Sequence, residues 1–111
     1  MGDAAGSQIS EAMNRLWQKF LPQMEERVAT LQNAAGHLST GASISREEQS
    51  SAAAEAHKLA GVLGTFGLQE GTELAREAEG LLEGSSSFEP TAVARLNDIA
   101  ERLKVMIASR G

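Results

Sequence analysis

From Ile9 onward, apolar side chains recur at steps of three and four: Ile9, Met13, Leu16, Trp17, Phe20, Met24, Val28, Leu31, Ala35 and Leu38. That is the period of an amphipathic helix burying one stripe. Pro22 falls inside the run without shifting its phase. Its ring lacks a backbone donor and crowds the preceding turn, so a kink or short break is expected near residues 19–22. Gly36 to Gly41 closes the segment, and His37 in its last turn suits a helix C-terminus. Ser45 followed by Glu48 has the form of a capping box. It opens a second helix carrying Ala52, Ala53, Ala56, Leu59, Leu63 and Phe66, which Gly67 ends in a left-handed conformation. A third helix carries Leu74, Ala78, Leu81 and Leu82, with Glu73, Arg76, Glu77 and Glu79 expected on a solvated face. Gly84 to Ser87 reads as a loop. Pro90 suits the first turn of a last helix striped by Val93, Leu96, Ala100, Leu103 and Ile107.

Four such stripes joined by short loops predict an all-α protein, an antiparallel four-helix bundle with helices over 22–39, 45–66, 69–83 and 90–109. Residues 8–20 form an additional N-terminal helical segment that extends or caps it, with Trp17 as a cap on the bundle end. Residues 1–7 are expected as a flexible tail and 8–110 as one helical domain. No stretch reads as a strand.

The second helix carries the candidate chemistry. At about 100° per residue, with His57 at zero, Gly61 falls near +40° and Gly64 near −20°. Leu59, Val62, Leu63 and Phe66 fall at roughly 140–240°, on the opposite side. The imidazole therefore faces away from the core, with two glycines on its own face. A mid-helix glycine costs about 0.5–1 kcal/mol relative to alanine, so such a face implies close approach to the imidazole. The competing readings are a surface histidine without a role and glycines that serve helix–helix packing. The Gly-x-x-Gly-x-x-Gly spacing does not match a nucleotide-binding loop.

The run His57-x-Leu59-x-Gly61, with Gly67 ten residues after the histidine, resembles the signature of histidine-containing phosphotransfer (HPt) domains. The following helix, with Leu74, Ala78 and Leu81-Leu82, continues the likeness, and Gly64-Thr65-Phe66-Gly67 is similar to the phosphotransfer domain of chemotaxis kinases. The resemblance implies a phosphohistidine carrier in a two-component phosphorelay. His57 would accept a phosphoryl group from a receiver-domain aspartate or a histidine kinase and pass it on. It implies a carrier rather than an autonomous enzyme, with no cofactor of its own and a magnesium ion on the partner receiver. Gly61 and Gly64 would leave room for that partner to dock. The sequence departs from the family where a lysine commonly stands three residues after the histidine; here that residue is Ala60. Lys58 is the candidate to face the phosphoryl group instead. A lysine placed at position 60 is expected to be tolerated. The alternative is a module of the same fold that docks a receiver or kinase without carrying phosphate.

Composition narrows the partners. The 111 residues carry a formal charge of −5, which argues against nucleic acid. Apolar residues make up 41%, enough for one core, and much of this share is alanine and leucine, which favours helix. There is no cysteine, so thiol chemistry and disulfides are excluded. No apolar run is long enough for a membrane span, and the chain start has no signal-peptide core. The expected setting is the cytoplasm. His37 and His57 form no recognisable metal motif.

Overall fold

The computed structural model describes residues 3–84 and 88–110, and all regular structure among them is helical. Helix α1 spans Asp3–Ser39, α2 Arg46–Thr65, α3 Gln69–Glu83 and α4 Pro90–Arg110. The loop expected over 84–87 falls largely outside the described residues. Each helix packs on its sequence neighbours, and α4 closes the ring on α1, giving an antiparallel four-helix bundle. Helix α1 opens at Asp3, within the stretch expected as a tail, so the expected N-terminal segment is the first half of α1 itself.

Of the kink or short break expected near Pro22, the break does not occur: α1 runs helical through that position for 37 residues. Pro22 and Gln18, whose carbonyl loses its helical donor, both lie on the exposed side. On that side the carbonyl is open to solvent, where water can satisfy it. At about 1.5 Å per residue, α1 alone is roughly 55 Å long, which sets the longest dimension of the molecule, 58 Å. Helix α4 is much shorter, and its last residue, Arg110, reaches the Asn14 side chain. Ile9, upstream of that level, is 66% exposed, and Leu16, at the edge of the stripe about 100° from the buried Trp17, is 41% exposed.

Trp17 caps the end of the bundle. It is buried, meets the Phe66 ring edge-on at 5.1 Å between centroids, and lies under the Arg110 guanidinium at 4.7 Å. Its indole nitrogen has no hydrogen-bond partner among the described residues. From this cap the core continues through Met24, Val28 and Leu31 of α1, Leu59 and Leu63 of α2, Leu74 and Leu82 of α3, and Leu96, Ile99 and Leu103 of α4.

Helices α2 and α3 make the most extensive pairing, and it is built on small residues. Ala53, Ala56 and Ala60 on one side and Ala75 and Ala78 on the other are buried and let the backbones come close. Gly71 marks the tightest point: a Cβ there would lie 2.9 Å from both Leu63 Cδ1 and Met106 Sδ. Thr72 Oγ1 donates to the Ala60 carbonyl at 3.0 Å and pins α3 to α2. The turn between them closes as the glycine predicts. Gly67 has φ +75°, its N–H bonds the Gly64 carbonyl, and the Leu68 N–H bonds the Leu63 carbonyl, which is a Schellman closure. On the outer side of α3, Glu77 is not simply solvated. Arg95 of α4 donates to it, with Nη2 2.7 Å from Oε1, and holds its carboxyl below the usual carboxylate range.

Candidate functional site

His57 occupies the middle of α2, and its side chain is 73% exposed. Its position follows from the stripe beneath it: Ala56, Leu59, Ala60 and Leu63 are buried, which turns the intervening residue outward. The imidazole is nevertheless held. Nδ1 lies 3.0 Å from Oε2 and 3.2 Å from Oε1 of Glu79 on α3. An ionised carboxylate only accepts, so in the neutral ring this bond favours the tautomer with hydrogen on Nδ1. Nε2 then carries the free lone pair. The bond thus orients the ring and chooses the nitrogen that can act as a nucleophile.

Glu79 is the partner of the imidazole that sequence reasoning missed; the sequence places it on a solvated face. It is half-buried, with 22% side-chain exposure, and lies against His57 of α2. A signal did exist. His57 stands ten residues before Gly67 and Glu79 twelve after it. Two antiparallel helices hinged at that glycine bring the two to the same level.

The other candidates divide around the ring. Lys58 lines the same shallow groove as His57, together with Arg46, Ser50, Ala54 and Glu79. Its ammonium is paired at 3.6 Å with Glu55, one turn back on α2. Gly61 lies on the exposed face beside His57, and a Cβ built there would meet nothing within 4 Å. Gly64 is also exposed, but a Cβ there would sit 3.3 Å from Thr72 Oγ1. The first glycine thus borders open space and the second borders a buried hydrogen bond.

Position 60 differs from expectation. Ala60 is only 5% exposed, enclosed by α3, with its carbonyl bonded to Thr72. A lysine there starts in the α2–α3 interface rather than on the open side of the histidine, so easy tolerance does not hold. His37, the second histidine, also bonds a carboxylate, Nδ1 lying 2.8 Å from Glu48 Oε2. Glu48 is therefore engaged with α1, while its N–H bonds the Ser45 hydroxyl at 3.0 Å, the cap that the sequence predicts. No group of three or more metal-ligating side chains occurs among the described residues.

A helical bundle that presents an exposed imidazole, bonded to a carboxylate, beside an uncluttered helix face fits a carrier worked by other proteins. The sequence comparison names the class: the Hpt domain pattern matches residues 15–105, and the chain belongs to that family. It is thus a phosphohistidine-carrier module of two-component phosphorelays, not an autonomous enzyme, and such domains interact with receiver and kinase domains. Among curated proteins it is similar to Protein RcaC of Microchaete diplosiphon, 33% identical over 78 residues, which cover 70% of this chain and 12% of that protein. The chain therefore spans a small part of that relative's length. No solved structure matches it. No helix among the described residues is long and apolar enough to cross a membrane.

Proposed function

We propose that His57 is the residue that carries the phosphoryl group, within a carrier unit of residues 8–110 working in the cytoplasm. The observation that carries this reading is the bond from Nδ1 to Glu79 on an otherwise exposed ring. With hydrogen on Nδ1, the Nε2 lone pair attacks the phosphorus of an aspartyl phosphate on a receiver domain. The P–N bond forms, the bond from phosphorus to the aspartyl oxygen breaks, and its electron pair leaves on the aspartate carboxylate. The product ring is phosphorylated at Nε2 and still protonated at Nδ1, so it is cationic and faces the Glu79 carboxylate. That contact stabilises the phosphorylated ring, and the reverse step returns the group to a receiver aspartate. The magnesium ion that neutralises the moving phosphoryl charge is on the receiver.

Gly61 and Gly64 serve docking, because the helix face they leave bare borders the histidine. Lys58 is the cation next to His57 in the chain within the groove that Arg46 also lines. The partners are a response-regulator receiver and a histidine kinase. The test is incubation with phosphorylated receiver domains, followed by detection of acid-labile, base-stable phosphate. His57→Gln is expected to abolish it with helicity unchanged. Glu79→Gln, which keeps the shape and removes the charge, is expected to slow transfer while leaving receiver affinity intact. Phosphate persisting on His57→Gln would refute the assignment.

A further inference from the structure

Lys58 and Glu55 belong to a chain of charges that begins on another helix. Arg27 of α1 donates from Nε to Glu55 Oε2 at 3.1 Å, a hydrogen bond in a half-buried setting. Lys58 Nζ approaches the other oxygen, Oε1, only to 3.6 Å, an ion pair without a hydrogen bond, and its side chain is 56% exposed. The two cations thus hold Glu55 unequally. Arg27 is fixed by geometry and burial, and Lys58 is loosely attached. Removing Lys58 leaves Glu55 still compensated by Arg27, so its release strands no charge.

We infer that Lys58 is a hand-over cation, parked on Glu55 while His57 is free and drawn to the phosphoryl group once His57 carries one. This rests on His57 being the phosphorylated residue. The two side chains are consecutive on α2 and line one groove. A phosphoryl group brings nearly two negative charges and three acceptor oxygens, against one carboxylate oxygen already shared with an arginine. The other charged groups lining the groove are Glu79 and Glu83 from α3, whose carboxylates repel the phosphoryl group, and Arg46 at the start of α2. Glu55 is then a positioning residue: it holds the ammonium on the side of α2 that faces Arg27 of α1, away from the imidazole, and its competition sets how strongly Lys58 holds the phosphoryl group.

The experiment loads the protein with phosphate from phosphoramidate, which needs no partner, and follows the phosphohistidine by 31P NMR across pH. A neighbouring ammonium favours the dianion, so it lowers the pH midpoint of the phosphoryl group. Glu55→Gln, freeing Lys58, is expected to lower that midpoint and Lys58→Ala to raise it, each by roughly half a pH unit, the scale of one exposed charge contact. The double variant should behave as Lys58→Ala alone. Equal midpoints in all four proteins would overturn the hand-over with the carrier assignment standing. A Glu55→Gln shift that survives in the double variant would assign the effect to Glu55 itself and also overturn it. Absence of any phosphate on His57 would remove the carrier assignment, and the inference with it.

Discussion

Gly61 gives the sharpest separation between a helix face kept bare for a partner and one kept bare for packing. Gly61→Ala adds one methyl group in the middle of an exposed helix. Nothing lies within 4 Å of where that carbon would go, and Gly61 itself is exposed. No overpacking term therefore opposes the gain in helix propensity, about 0.5–1 kcal/mol. At roughly 2 cal/mol/K of unfolding entropy per residue, a chain of this length should melt about 2–4 °C higher. If the glycine is kept for docking, the same variant loses receiver affinity, because the methyl group stands one turn from His57 on its face. Thermal unfolding and receiver binding, measured on one sample, read both effects. Unchanged or lower stability would refute the claim of open space at this position. Higher stability with unaltered affinity and transfer rate would show that docking does not use Gly61.

The neighbouring positions should behave differently. Gly64→Leu places its Cβ against the Thr72 hydroxyl, which is already committed to the Ala60 carbonyl. It should cost about 1–3 kcal/mol by overpacking, partly offset by propensity, in addition to weakening receiver binding; a variant as stable as the parent by chemical denaturation would contradict this. Ala60→Lys should also destabilise the bundle by about 1–3 kcal/mol, since its stem must pass α3. A denaturation midpoint equal to the parent's would instead show that α3 yields at that level.

Much of this was readable from the sequence because it depends on one period. The stripes of α2, α3 and α4 follow from helical spacing, and so does the outward turn of His57. Ser45 as a cap and Gly67 as a stop are local chemistry, each decided within a few residues. What escaped depends on how helices sit against one another. Glu79 reads as one more charged residue on α3 until the register of α3 on α2 places it at the level of the imidazole. Ala60 looks like a vacant family position until α3 covers it. Ile9 continues the stripe faithfully, yet it lies upstream of Asn14, the level that Arg110 reaches, and it is exposed. Pro22 was read by its intrinsic penalty, which is small where the orphaned carbonyl meets water.

The two histidines test whether local geometry alone makes a carrier. Both bond a carboxylate through Nδ1, at 2.8 Å for His37 and 3.0 Å for His57, and both rings are largely exposed. Their surroundings differ. His37 sits in the last turn of α1, where the free carbonyls favour a cation, and Glu48 sits in the first turn of α2, where the free N–H groups favour an anion. That pair joins the ends of two consecutive helices across residues 40–45, and each partner suits its own helix end. His57 has no helix end to complement, and its pair spans the middle of two helices beside the groove. His37→Gln should therefore lower stability by about 0.5–1 kcal/mol, the scale of one side-chain hydrogen bond, and leave phosphotransfer at the parent rate. His57→Gln should do the reverse. The two variants, compared by denaturation and by phosphate incorporation, separate a staple from a carrier. Phosphate incorporation halved or worse in His37→Gln, at equal folded fraction, would show that a carboxylate-bound imidazole suffices wherever it stands.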